Sequence, residues 1–164
     1  MADLRYPVGP FAAPTSFSTA DRATAFRTLA ELPARMRLAC AGLSDAQLDT
    51  PYRPDGWTVR QVVHHIADSH VNSYVRFRLA LTEDEPLIRP YHEDRWAELP
   101  DSRTAPLEVS LSLLDALHVR WGLVLRAITP EQWKRTLRHP EQGVVGLDRN
   151  LALYAWHGRH HVAH

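Results

Sequence analysis

The chain has 164 residues, enough for one well-buried core and too few for two comfortable domains. Nineteen basic residues balance nineteen acidic ones, and no run of Lys or Arg occurs, which argues against nucleic acid as the main partner. The outlier of the composition is its ten histidines.

No stretch approaches the roughly 18 apolar residues that a membrane span needs. The opening "MADLRYPVGPFAAP" lacks the apolar segment of a secretory signal. Cys40 is the one cysteine, so no intrachain disulfide can form, which fits a reducing compartment. We therefore predict a cytoplasmic protein with one domain spanning residues 1–164.

The N-terminal part of the chain predicts an extended arm followed by helices. Residues 1–17 are rich in Pro, Ala and Ser and predict the arm. Apolar residues then recur at three- and four-residue spacings, which predicts a helix over 18–43, kinked or split at Pro33. Ser44 with Gln47 has the spacing of a capping box and predicts a short helix.

The remaining sequence predicts three more long helices. Residues 57–82 contain no Gly or Pro and predict one of them, and a polar connection with four prolines follows over 83–106. Residues 107–128 predict the next helix, residues 139–148 a loop or an extended segment, and the segment from Asp148 to the end the last helix. No convincing strand pattern occurs, so the predicted fold is an all-α four-helix bundle.

The last helix carries four histidines beside its predicted core stripe. At about 100° per residue, the stripe falls within an arc of about 80°. It consists of Leu147, Leu151, Tyr154, Gly158 and Val162. His157 and His161 flank it one above the other. His160 and His164 are also four residues apart and lie farther from it, so periodicity favours the first pair without excluding the second.

The second long helix offers a further imidazole. His65 flanks the apolar stripe, whereas His64 points away from it and His70 falls on the stripe itself as a rival. A polar column at successive turns is aligned with His65: Ser69, Asn72 and Arg76. Such a column beside a buried face is typical of a site between helices, and equally of a solvated seam.

Histidines in this pattern point to a metal. Two imidazoles at i,i+4 can share one ion, and a third from another helix leaves a coordination position open for water or substrate. Gly158 follows His157 directly, so the HExxH protease motif is absent. The alternative is that these are ordinary surface or core histidines, which is also our interpretation of His92, His118 and His139.

Two long segments carry a family resemblance. "LDTPYRPDGWTVRQVVHHIADSHVNSYVRFRLALTEDEPLIRPY" (48–91) and "YAWHGRHHVAH" (154–164), with "RYPVG" (5–9), resemble the YfiT subgroup of the DinB/YfiT-like superfamily along nearly the whole chain. The resemblance implies a four-helix bundle, a divalent metal held by three histidines, and a cytoplasmic homodimer. Members are provisionally described as metal-dependent hydrolases, and some relatives transfer low-molecular-weight thiols such as bacillithiol or mycothiol.

The resemblance also implies the ligands. The second histidine of the pair in the second long helix, His65, matches the first ligand. His157 and His161 match the first and last histidines of an H-x-x-H-H arrangement and so the other two ligands. Relatives can carry glutamine at the position of His164, which argues against that residue as a ligand. Members usually continue the last helix beyond His164, where this sequence stops.

Our first hypothesis is therefore a metalloenzyme that acts on a small-molecule substrate. The ion is expected to be zinc, with nickel as the alternative, and to activate a water for hydrolysis. Asn72 and Arg76 are candidates for substrate positioning, and Asp68 and Glu93 for a general base. No catalytic residue is identified by the sequence.

Two further hypotheses remain. The open position could hold a thiolate, which would make the protein a low-molecular-weight thiol S-transferase of the bacillithiol type. Alternatively, the metal could be structural in a non-catalytic helical module. That hypothesis requires a fourth protein ligand, for which His70 and His164 are candidates.

Overall fold

Four long helices dominate residues 3–164, the part of the chain that the computed structural model describes. In chain order the elements are α1 Thr19–Cys40, α2 Asp45–Leu48, α3 Val59–Thr82, α4 Glu93–Trp96, α5 Pro100–Thr104, α6 Leu107–Ala127, a 3₁₀ turn Gln132–Lys134, β1 Thr136–His139, β2 Gly143–Gly146 and α7 Leu147–Val162. The bundle is formed by α1, α3, α6 and α7. Residues 3–17 precede it without a helix or strand.

Capping boxes determine where the first three helices begin. In each of them the N-cap side chain accepts from the third backbone N–H, and the side chain at that third position accepts from the N-cap backbone. The three boxes are Ser18–Asp21, Ser44–Gln47 and Thr58–Gln61. The box predicted at Ser44 is thus confirmed, and it starts the short helix α2.

Helix α1 continues through a proline. Pro33 is buried inside α1, and the helix is not split there, contrary to one of the two outcomes that the sequence predicted. The proline removes one i→i−4 backbone hydrogen bond, which leaves the carbonyl of Leu29 without its helical donor. A side chain from α6 uses this carbonyl instead, as described below.

A β-hairpin precedes α7, where the sequence pattern predicted no strand. Strands β1 and β2 pair antiparallel, with Thr136 opposite Gly146 and His139 opposite Gly143. Each strand has only four residues, too few for a clear alternation of polar and apolar positions. The hairpin is stabilised by packing, because Leu137 and Val145 are buried in the core.

The core lies between the four long helices. The stripe predicted for α7 is confirmed, since Leu147, Leu151, Tyr154 and Gly158 are buried and Val162 is partly buried. A Cβ atom on Gly158 would lie 2.9 Å from the Leu32 side chain, so α1 and α7 meet closely beside His157. No helix within residues 3–164 is long and apolar enough to cross a bilayer.

The connection between α3 and α6 is fastened to the start of α3. The Gln61 amide donates to the carbonyl of Ala97 at 2.8 Å, and the buried guanidinium of Arg60 donates to the carbonyl of Ala105 at 3.0 Å. These bonds hold the segment that contains α4 and α5 against the bundle. The residues just before α4 consequently lie over one face of α3 and α7.

Candidate metal centre

Three imidazoles from two helices converge at one point of the bundle. They belong to His65 of α3 and to His157 and His161 of α7, and we call them the histidine triad. One nitrogen from each lies within 4.8 Å of the others. The ring centroids are 5.3 Å apart for His65 and His157, 4.9 Å for His65 and His161, and 4.4 Å for His157 and His161.

The spacing of the nitrogens suits a small divalent ion. The Nε2 atoms of His65 and His157 are 3.2 Å apart. Two nitrogens at about 2.0–2.1 Å from a tetrahedral zinc lie roughly 3.3–3.4 Å apart, which is close to the observed separation. The donor set also fits, because imidazole nitrogen is a preferred ligand of zinc, nickel, copper and iron.

The environment of the triad keeps its imidazoles uncharged at neutral pH. Burial lowers the pKa of His65 to about 4. Burial also holds the pKa values of His157 and His161 well below the ordinary range, and the neighbouring imidazoles add to this effect. A neutral imidazole has a free lone pair, so metal binding at pH 7 does not require a proton to be displaced from an imidazolium.

The triad opens onto a cavity of about 630 Å³. Helix α3 contributes Ser69 and Arg76 to its wall, and the segment before and within α4 contributes residues 90–94. The hairpin and its turn contribute His139 and Glu141. The cavity is therefore built by the bundle on one side and by two connections on the other, which is where a small molecule would approach the triad.

The predicted positioning residues separate in the structure. Arg76 lines the cavity, whereas the Asn72 amide donates to the backbone carbonyl of Asp68 at 2.9 Å within α3. Glu93 lines the cavity as well. Within residues 3–164, Asp68 is not among the residues that line the cavity. Burial raises the pKa of its carboxyl to about 6.

The cavity wall contains groups that the sequence did not single out. Tyr91 lies there beside Trp96, with ring centroids 4.6 Å apart, and burial raises the pKa of its phenol so that it remains a neutral donor. His92 and His139, interpreted above as ordinary, also line the cavity. The position of these three residues at the cavity wall depends on the path of two connections, which helical periodicity does not predict.

His70 and His118 form a buried pair behind the triad. The Nε2 atom of His70 faces Nδ1 of His157 at 3.4 Å, and its Nδ1 faces Nε2 of His118 at 3.1 Å. Nδ1 of His118 lies 2.7 Å from the carbonyl of Leu29. Both nitrogens of His70 are thus directed at other histidines, so this residue has no free nitrogen to offer as a fourth ligand.

A second histidine cluster lies at the end of α7. His160, His161 and His164 each place one nitrogen within 4.8 Å of the others, and Nδ1 of His161 is 3.2 Å from Nδ1 of His164. His164 also stacks on Tyr52, with ring centroids 4.0 Å apart. His164 therefore lies behind His161, on the side of its Nδ1 atom.

The chain is a four-helix bundle with a histidine triad between two of its helices and an open cavity beside it, and helix bundles build metal sites from side chains on facing helices. The family model described as the DinB superfamily matches residues 28–164. The chain belongs to the DinB superfamily, as the sequence motifs indicated, and the predicted all-α four-helix bundle is confirmed.

Several relatives match along nearly the whole chain. YfiT from Bacillus subtilis (strain 168) is 50% identical over 163 residues, which cover 99% of this chain and 92% of that protein. A Bacillus cereus (strain B4264) protein is 51% identical over 164 residues, which cover 100% of this chain and 94% of the relative. The names of both relatives provisionally describe them as metal-dependent hydrolases.

A solved structure has the same architecture. The structure of YfiT from Bacillus subtilis superposes with a TM-score of 0.96 at 49% sequence identity, covering 99% of this chain and 93% of that one. It is described as a probable metal-dependent hydrolase with an unusual four-helix bundle topology. The resemblance to the YfiT subgroup therefore extends from sequence motifs to the complete fold.

Proposed function

We propose that this protein is a metal-dependent hydrolase of a small-molecule substrate, with one divalent ion bound by His65, His157 and His161. Zinc is the ion we favour, with nickel as the alternative. The observation that carries the proposal is the convergence of three imidazoles on the wall of a 630 Å³ cavity. The descriptions of the relatives as metal-dependent hydrolases support the same reaction class.

A bound divalent ion would supply a Lewis acid that lowers the pKa of a coordinated water and polarises a substrate carbonyl. The remaining tasks fall to the cavity wall. The Arg76 guanidinium offers a fixed positive charge and several N–H donors to an anionic or carbonyl group of the substrate. The Tyr91 phenol stays protonated and can donate a hydrogen bond.

A proton acceptor is also required for hydrolysis. The Glu93 carboxylate lines the cavity together with the triad, so it is the group we propose to take the proton from the attacking water. Asp68 is less suited to this role, because its position falls outside the described lining of the cavity. Asn72 is less suited to substrate positioning than Arg76, because its amide bonds within α3.

The two other hypotheses lead to different results in a single screen. The open side of the triad could accept a thiolate, in which case turnover would require an added small thiol. A structural metal would need a fourth protein ligand. His70 directs both of its nitrogens at His157 and His118, and His164 lies on the Nδ1 side of His161, outside the described lining of the cavity. This arrangement supports an open site over a closed one.

The experiment combines metal analysis with a substrate screen. Protein prepared without a nickel column is analysed for its metals, loaded with zinc, and assayed on small esters and amides with and without added thiol. Hydrolysis by the zinc protein, absent after chelation, is the expected result. Activity only with thiol would replace the hydrolase proposal by the transferase, and inactivity of the loaded protein in every arm would contradict an enzymatic role.

We also propose that the protein forms a homodimer. Helix α6 exposes an apolar strip of Val109, Leu113, Val119 and Leu123, each at least 45% exposed. At about 100° per residue these four lie within an arc of about 120° on one side of the helix. A strip of this kind favours burial against a second copy. Light scattering coupled to size exclusion measures the mass directly, and a monomer near 18.7 kDa would contradict the proposal.

A further inference from the structure

Three histidines link the triad to the backbone of α1, and we call His157, His70 and His118 the histidine relay. From the triad inwards, Nδ1 of His157 is 3.4 Å from Nε2 of His70, and Nδ1 of His70 is 3.1 Å from Nε2 of His118. Nδ1 of His118 ends the relay at 2.7 Å from the carbonyl oxygen of Leu29. The relay thus runs from α7 through α3 and α6 to α1.

The last contact of the relay depends on Pro33. In an α-helix the carbonyl of residue 29 would accept the N–H of residue 33, but a proline has no N–H to donate. The carbonyl of Leu29 is buried in α1 and finds its donor in His118. Because a carbonyl oxygen only accepts hydrogen bonds, Nδ1 of His118 must carry the proton.

This fixed proton determines the positions of the others. His70 and His118 are 0% and 7% exposed, and a charged imidazolium at such depth is costly, so each ring carries one proton. With its proton on Nδ1, His118 accepts at Nε2, and His70 must donate from its own Nδ1. His70 then accepts at Nε2 from Nδ1 of His157. With its single proton on Nδ1, the neutral His157 ring has an unprotonated Nε2.

We propose that His70 and His118 are positioning residues that hold His157 in its Nδ1–H tautomer, with the lone pair of Nε2 directed at the metal. The inference rests on the proposed metal site. That Nε2 atom is the one found 3.2 Å from Nε2 of His65. Metal-bound histidines commonly donate their other nitrogen to a carboxylate or carbonyl; here a carbonyl fulfils this role through two intervening imidazoles.

The tautomers can be measured without a metal. Long-range ¹⁵N–¹H NMR correlations of the metal-free protein distinguish a ring protonated at Nδ1 from one protonated at Nε2. The expected result is Nδ1–H for His118, His70 and His157 at neutral pH. An Nε2–H tautomer at His118 or at His70 would overturn the proposal. This measurement is independent of enzymatic activity, so it also separates failure of the relay from failure of the proposed function.

A pair of variants tests the consequence for the metal. His118→Phe keeps the volume of a ring but removes both nitrogens, so His70 loses its acceptor. We expect zinc affinity, measured by competition with a chelator, to fall tenfold to a hundredfold, and the His157 ring signals to shift. The control is His64→Phe, at a histidine of α3 that is equally buried but pairs with Ser110 at 2.7 Å.

The control variant should bind zinc within about threefold of the original protein, even if its thermal stability falls as much as that of the test variant. Equal zinc affinity in His118→Phe and the original protein would contradict the inference. If His118→Phe does not fold, the tautomers of the original protein decide the question. If the original protein binds neither zinc nor nickel while the tautomers are as expected, the proposed function is contradicted and the tautomer assignment of the relay stands.

Discussion

The Nε2 atoms of His65 and His157 lie 3.2 Å apart although 92 residues separate them in the chain. Two imidazole nitrogens at this distance share either a proton or a metal ion. The second possibility explains why His161 lies against both rings, with centroid distances of 4.9 Å and 4.4 Å.

Replacing His65 should abolish stoichiometric metal binding. His65→Ala removes the ligand that we propose on α3, and the remaining pair on α7 would bind zinc far more weakly. We expect about one zinc per chain in the original protein and well below that in the variant, measured by elemental analysis after dialysis. His64→Ala alters the adjacent residue and should retain zinc. One equivalent of zinc in His65→Ala would rule out the proposed ligand.

The metal-free protein should lose stability in acid. The folded-state pKa values of His65 and His118 are about 4, below the ordinary 6.5. Between pH 6.5 and 4 the unfolded chain therefore binds more protons, and the free energy of unfolding falls as the pH falls, by at most about 1.4 kcal/mol per pH unit for each group. Above pH 6.5 both imidazoles are neutral in the folded and the unfolded chain, so the stability that they contribute is fully present.

Asp68 opposes this trend, because its raised pKa favours the folded state as the pH falls from about 6 towards 3.8. The effect of two buried histidines exceeds that of one half-exposed carboxyl, so we expect the free energy of unfolding to fall as the pH falls. Urea unfolding of metal-free protein at pH 7.5 and pH 5.0 measures it. His92→Gln, at an exposed imidazole, serves as the control and should show the same difference. Equal stability at both pH values would refute the expectation.

Neutralising Asp68 should stabilise the protein at neutral pH. Burial raises the pKa of this carboxyl to about 6. At pH 7.5 the carboxyl is ionised in a partly desolvated position, which destabilises the folded state. Asp68→Asn is expected to raise the free energy of unfolding by about 0.5–1 kcal/mol at pH 7.5, after allowance for solvent screening, and to have little effect near pH 4.

The pH dependence distinguishes this mechanism from a general gain in packing, which would stabilise the variant equally at both pH values. The same variant tests the role of Asp68 in catalysis. If hydrolysis is found and Glu93 is the proton acceptor, Asp68→Asn should retain the rate. A large loss of kcat in Asp68→Asn, with Glu93→Gln unaffected, would reverse the assignment.

Two buried glycines should differ in their response to alanine. A Cβ on Gly158 would lie 2.9 Å from the side chain of Leu32, itself buried, whereas a Cβ on Gly122 would meet Phe26 at an ordinary 3.4 Å. Both substitutions gain about 1 kcal/mol of helix propensity, and at Gly158 overpacking costs about 1–3 kcal/mol. Thermal unfolding should show Gly158→Ala less stable than Gly122→Ala by roughly that cost. Equal melting temperatures would mean that α1 and α7 can separate freely.

Substitutions of Arg76 and Asn72 should have different effects on KM, which can be measured once a substrate is known. Arg76 lines the cavity, while the amide of Asn72 bonds to the backbone of its own helix. Arg76→Ala is expected to raise KM about tenfold or more, because a charge-assisted hydrogen bond to the substrate is lost. Asn72→Ala should change KM less than threefold. The reverse order would contradict the assignment of substrate positioning to Arg76.

Local periodicity by itself determined much of the fold and part of the site. A repeat of 100° per residue defined the apolar stripe of α7 and put His157 and His161 beside it, and the same reasoning put His65 at the edge of the stripe on α3. It also assigned His70 to the buried stripe, which is correct, since that side chain is 0% exposed. These features depend only on neighbouring residues within one helix.

Tertiary packing decided the rest. The hairpin was missed because its four-residue strands form only where Leu137 and Val145 find a core. The partners in the histidine relay are 48, 87 and 89 residues apart, and the carbonyl that ends it is available because Pro33 lies in the helix facing His118. Periodicity shows which face of a helix is buried. Only the packing of one helix on another determines which atoms of two buried faces meet.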